Sequence, residues 1–125
     1  MSILIDTSVW VDHFRTANEE LVQLLSNGHV LWHSLVVGEI ACGTPPKRLQ
    51  TIADLGKLAT TQSASVKETV ALVQRERLFG LGCGLIDLQL LASTMLTPYA
   101  KLWTLDKNLA KLAKRFDIHY LPNKH

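Results

Sequence analysis

Two rhythms of apolar and polar residues alternate along the chain. Short apolar runs, ILI ending at Asp6, VLWHSL from Val30 and LWTL from Leu102 closing on Asp106, predict buried parallel strands. Between them apolar residues recur at helical spacing. Thr7 or Ser8 is expected to cap a first helix beginning at Val9. Asn18 caps the next, which buries Leu21, Leu24 and Leu25 and stops near Gly28. Ser34 is expected to cap a short segment containing Glu39. Gly43, Pro45 and Pro46 end that segment and start a helix with Leu49, Ile52, Leu55 and Leu58 on its apolar face.

Ser65 and Glu68 have the S-x-x-E spacing of a capping box, which predicts a helix over about 65–79. The polar stretch from Thr60 to Ser63 is a candidate short strand. Gly80, Gly82 and Gly84 form a loop into an apolar helix over about 85–96, ended near Pro98. A helix from Lys107 to Phe116 and a final strand, IHYL, complete the pattern. Alternating strands and helices predict an α/β three-layer sandwich, a mostly parallel central sheet flanked by helices, as a single domain over residues 1–125. Ligands of such sheets bind beyond the carboxyl ends of the strands. If the strands before Asp6 and Asp106 are parallel neighbours, both carboxylates share that edge.

Composition narrows the class. The 125 residues are 47% hydrophobic and 19% charged, a globular balance. No apolar run reaches the roughly 18 residues of a membrane helix, and the N-terminus lacks a signal-peptide pattern, so a soluble cytoplasmic protein is expected. Cys42 and Cys83 lie far apart without Cys/His ligand spacing, and read as ordinary reduced thiols. The net charge is +2, but from Lys101 onward six basic residues, Lys101, Lys107, Lys111, Lys114, Arg115 and Lys124, face two acidic ones. This basic end is a candidate phosphate-attracting face. Lys107, Lys111 and Lys114 also fall opposite Leu109, Leu112 and Phe116, as a solvated helix face would.

The carboxylates change the picture most. Asp87 is a lone acid among Leu85, Ile86, Leu88, Leu90 and Leu91, and Glu39 sits among Leu35, Val36, Val37, Ile40 and Ala41. Burying an unpaired carboxylate costs several kcal/mol or a large upward pKa shift, so something must compensate it. Together with Asp6 and Asp106 at strand ends, these residues suggest one acidic pocket. Ionised neighbours would repel by roughly 4 kcal/mol per pair at about 4 Å and an effective dielectric near 20. A divalent cation answers that repulsion, and hard oxygen ligands favour Mg2+ or Mn2+ over zinc. Such an ion activates water and stabilises an in-line displacement, the chemistry of phosphodiester hydrolysis.

Each acid also has an ordinary reading. Asp6 and Asp106 are placed to complement helix N-termini, Glu39 to face solvent, and Asp87 to cap a helix after the glycine loop. His13, His33 and His119 have no nucleophile partnered with them in the sequence, and Trp10, Trp32 and Trp103 read as core.

LIDTSVWVDHF, VVGEIACG, GLGCGLIDLQLLAS and LWTLDKNLAKLA, in that order across nearly the whole chain, resemble the motifs of PIN-domain proteins, and more narrowly of the VapC toxin ribonucleases. The resemblance implies a metal-dependent endoribonuclease acting on structured RNA, tRNA or rRNA, held inactive by a cognate antitoxin and commonly homodimeric. It implies metal-activated water and 5′-phosphate products. By position, Asp6, Glu39, Asp87 and Asp106 match the acidic quartet that is both catalytic and metal-binding, and Ser8 matches a supporting hydroxyl. Related sequences often carry another acid where Asn108 stands, so Asn108 supports the site without completing a second metal site. Arg15, Lys47, Arg48 and Lys107 are candidates for RNA-backbone contact.

Other classes fit less well. A phospho-accepting receiver domain wants paired acids after the first strand and a late lysine, whereas Asp6 precedes Thr7 and Ser8. A D-x-D phosphatase needs an acid at Ser8. The remaining alternative is a catalytically silent PIN-like module that binds RNA or protein.

Overall fold

A computed structural model describes residues 1–122; Lys124, counted above in the basic end, lies outside them. The described residues form, in chain order, β1 (Ser2–Ile5), α1 (Thr7–Arg15), α2 (Glu19–Ser26), β2 (Val30–Trp32), α3 (Ser34–Ala41), α4 (Arg48–Leu55), β3 (Ala59–Thr60), α5 (Val66–Glu76), α6 (Leu85–Leu96), β4 (Ala100–Trp103) and α7 (Lys107–Arg115). The sheet order is β3-β2-β1-β4 and every pairing is parallel. This is the α/β sandwich that the alternating pattern predicts.

The interior strand β1 is the most apolar. Ile3, Leu4 and Ile5 are fully buried, as a strand covered on both faces must be. Leu102 and Trp103 of β4 and Val30 of β2 continue the core beside it. From β1 the chain steps to β2 and then β3, and afterwards returns to the other side of β1 as β4. The strand order therefore reverses between β1 and β4, which makes their carboxyl ends the switch point where open parallel sheets bind ligands.

Local expectations fail where a nearer partner exists. Helix α1 begins at Thr7, with Asp6 at its N-cap position. Helix α3 is capped by His33 and not Ser34, because β2 ends at Trp32 and the His33 ring turns back over the helix start. Leu49 of α4 is 79% exposed, and Leu55 alone of that helix is buried, so the expected apolar face is narrower. IHYL gives one parallel bridge, Leu102 to His119, in which the Leu102 N–H donates to the Ile118 carbonyl and the Leu102 carbonyl accepts the Tyr120 N–H. The capping box at Ser65 and Glu68 and the Asn18 cap form as expected.

One buried polar group ties three elements together behind the sheet edge. His33 Nδ1 accepts the Leu35 N–H at 3.0 Å, which leaves the proton on Nε2, 3.0 Å from Ser93 Oγ on α6. Ser93 Oγ also accepts the Ala64 N–H ahead of α5 at 2.9 Å. Ser93 is fully buried, so this histidine–serine pair is structural and out of reach of a substrate. Burial lowers the His33 pKa below its ordinary 6.5. The folded state thus binds fewer protons than the unfolded chain between those two values. The stability His33 contributes is complete above about pH 6.5 and is lost as pH falls toward the folded pKa. His33→Asn, which keeps an acceptor for Leu35, is expected to cost about 1–3 kcal/mol at neutral pH through the lost Ser93 bond and to flatten the decline between pH 7.5 and 5. Urea denaturation at both pH values checks this, and parallel declines in the two proteins would contradict it.

Candidate active site

The register of β1 on β4 builds the site. Ile5 pairs with Trp103, so Asp6 and Thr104 follow side by side, and the Asp6 N–H donates to the Trp103 carbonyl at 2.9 Å. Asp6 is only 6% exposed. Its Oδ2 accepts hydroxyls from Ser8 at 2.7 Å and Thr104 at 2.8 Å, and its carboxylate makes no cap bond to α1. Two hydroxyls on one oxygen fix the carboxylate plane and leave the other oxygen for a ligand. Asp6 does stand at the N-terminus of α1, as its ordinary reading expects, but its carboxylate is held by hydroxyls and makes no cap bond.

The same small network reaches Asp106. Thr104 Oγ1 accepts the Asp106 N–H at 3.0 Å, and Ser8 Oγ accepts the Leu105 N–H at 3.1 Å. Asp106 Oδ1 in turn accepts the Leu109 N–H at 2.8 Å and caps α7. Its capping role is therefore real, and it occupies one of two carboxylate oxygens. Glu39 lies exposed on α3, where Thr7 Oγ1 donates to its Oε1 at 2.7 Å. The α1 start thus sends its two hydroxyls to two different acids.

Asp87, half-buried in the first turn of α6, senses all three. Burial raises its pKa above 3.8, the charges of Asp6 and then Asp106 raise it further, a backbone bond at Gly84 opposes them, and Glu39 adds the smallest push. The charges of Asp6, Asp106 and Glu39 thus all bear on Asp87; of the four acids Asp6 is buried, Asp87 half-buried, and Asp106 and Glu39 exposed. Among the described residues no three His, Cys, Asp or Glu side chains are grouped as a site that could hold a metal ion. Asp6, Glu39 and Asp106 each accept a hydroxyl or amide hydrogen bond.

The donor set is hard. Burial, Asp87 and Asp106 push the Cys83 thiol up to about 11, so it stays protonated at neutral pH. Asn108 supports the loop ahead of α6: Gly82 has φ +87°, and a methyl there would run into the Asn108 carboxamide. Lys107 is exposed beside Asp106, and Arg15 and Lys47 are exposed on the α1 and α4 side. Arg48 spends its guanidinium on the Ala41 carbonyl, through Nε at 3.1 Å and Nη2 at 2.7 Å. Thr7 and Thr104 were not legible as site residues. A threonine after a strand reads as a generic β-former or cap, and only the strand register shows which carboxylate it meets.

No protein-family model matches the chain. It is 41% identical over 107 residues to the protein named Ribonuclease VapC32 in Mycobacterium tuberculosis strain CDC 1551 / Oshkosh, and equally to its namesake in strain ATCC 25618 / H37Rv; each alignment covers 86% of this chain and 86% of the relative.

The raised Asp87 pKa yields a direct test. In EDTA, Asp6→Asn is expected to bring the Asp87 carboxyl back toward 3.8 without reaching it, since burial remains. Carboxyl-carbon NMR against pH measures this. An Asp87 titration unmoved by Asp6→Asn would show that the two carboxylates do not share a site.

Proposed function

Because the chain belongs to the VapC-type family of PIN-domain ribonucleases, we propose that it is an endoribonuclease, the toxin of a toxin–antitoxin pair, that hydrolyses phosphodiester bonds in structured RNA, tRNA or rRNA, with Mg2+ or Mn2+ at Asp6, Asp87 and Asp106 and Glu39 completing the site. The observation that carries the reading is the parallel β1–β4 register, which brings Asp6 and Asp106 into one hydroxyl network at the switch point of the sheet, with Asp87 in the first turn of α6 close enough to feel their charges. The hard carboxylate oxygens of Asp6, Asp87, Asp106 and Glu39 suit such an ion. A bound ion supplies an activated water and charge stabilisation at the phosphorus and the leaving oxygen.

The chain's own residues hold and orient. Ser8 and Thr104 lock Asp6, and the α7 amide at Leu109 fixes Asp106. Thr7 keeps Glu39 facing the group from α3. When water attacks phosphorus, Glu39, held by Thr7, is the carboxylate available to take up the proton that the water loses, and the departing 3′-oxygen takes a proton from solvent. The products are then a 5′-phosphate and a 3′-hydroxyl. Lys107, Arg15 and Lys47 offset the repulsion between RNA phosphates and the acids. Exposed Phe79, Leu81, Leu85 and Ile86 at the entry to α6 supply an apolar surface of the kind a second subunit or a cognate antitoxin covers. No helix among the described residues is long and apolar enough to cross a membrane, and the proposed compartment is the cytoplasm.

A silent PIN-like module that only binds RNA or protein is the second reading, favoured by the lack of such a grouped metal site among the described residues. Cleavage of total cellular RNA by the purified chain separates the two. Discrete fragments are expected with Mg2+ or Mn2+, none with EDTA, and background only for Asp6→Asn and Asp87→Asn. Thr104→Val, which removes a support and no ligand, is expected to lower activity or ion affinity about 10–100-fold. Equal activity in the aspartate variants would mark a contaminant, and neither cleavage nor ion binding would select the silent module.

A further inference from the structure

A cleft of about 390 Å³ lies between α1 and the α3–α4 connection, and of the four site acids Glu39 lines one of its walls. Thr7 and Glu39, bonded to each other, form that wall, so the cleft meets the site at Glu39. Phe14 and the Pro45 and Pro46 rim supply apolar lining, and the exposed Arg15 supplies the cation. Arg15 makes no ion pair among the described residues.

The cleft is built before anything enters it. The Phe14 ring is stacked on buried Trp10, with centroids 6.1 Å apart and planes at 28°. Arg48 fastens the start of α4 to the end of α3 through the Ala41 carbonyl, and Thr51 Oγ1 donates to the Pro46 carbonyl at 2.6 Å. Lys47 between them is held in the left-handed region at φ 46°. A rigid rim of this kind lowers the ordering cost of binding.

We propose that this cleft is a nucleotide subsite, which takes one unpaired base next to the cleaved phosphate against Phe14 and the prolines, with Arg15 on a neighbouring phosphate. The proposal rests on the nuclease reading and adds how the RNA is held. Three observations select this occupant. The cleft reaches the acidic group through Glu39; its volume and mostly apolar lining suit one small ligand; and an aromatic platform beside a single cation is how unpaired nucleic acid is gripped. Such a subsite would admit loops and ends of RNA and exclude bases locked in a duplex.

The test needs no catalysis. The full chain in EDTA is titrated with the four nucleoside 5′-monophosphates and, separately, with inorganic phosphate, and followed by amide NMR. Nucleotides are expected to shift Val11, Arg15, Gly43 and Thr44, and phosphate alone is expected to miss Gly43 and Thr44. Arg15→Ala and Phe14→Leu, which keeps an apolar side chain, should each weaken nucleotide binding and raise the KM for RNA about 10-fold. Identical shifts from phosphate and nucleotides would overturn the proposal. So would an unchanged KM in both variants while the wild type cleaves, the result expected if the cleft serves a protein inhibitor. Nucleotide shifts in a chain that cleaves no RNA would support the subsite and count against the nuclease reading alone.

Discussion

The parallel pairing of β1 with β4 is the constraint on which the rest depends. It aligns Ile5 with Trp103 and so delivers Asp6 and Thr104 together to the carboxyl edge of the sheet. Had the register slipped by one residue, every side chain on β4 would change faces and Thr104 would leave Asp6. Both faces of these strands are covered, so the slip would not expose Ile3, Leu4, Ile5, Leu102 or Trp103; it would swap the packing partners of each and break the Thr104 hydroxyl bond to Asp6. The hydrophobic core therefore sets the position of the polar network, and the network sets the position of the acids.

That position carries a cost. An acid whose folded pKa is raised stabilises the fold below its unfolded pKa, and the benefit is lost as pH rises through the folded value. For Asp87, ordinarily near 3.8, this means that at neutral pH its ionised carboxyl, half-buried near Asp6 and Asp106, opposes folding. The chain nonetheless keeps four acids here and surrounds them with hydroxyl and amide donors. Stability given up at a switch point, where α/β sheets bind ligands, is the signature of a site held ready for a charged ligand.

Much of this was legible in the sequence. The strand-end positions of Asp6 and Asp106 followed from apolar runs, and the oddness of Asp87 followed from its leucine surroundings. The structure tempers the second point, since Leu85 and Ile86 are exposed and Asp87 is only half-buried. What stayed hidden were contacts made across the chain. Thr104 meets Asp6 from 98 residues away, and His33 meets Ser93 from 60. Leu49 looked like core because helical spacing reports a face and not what covers it. The IHYL strand shrank to a bridge because an apolar run carries β-propensity but no guarantee of a partner along its length.

The most direct test of the account is the thermal midpoint of the wild type and of Asp87→Asn, each in EDTA and in Mg2+ at pH 7. If the carboxylates form a strained group awaiting a cation, Asp87→Asn melts higher than the wild type in EDTA, and Mg2+ raises the wild type while moving the variant little. A variant that melts lower in EDTA, or a wild type indifferent to Mg2+, would contradict it.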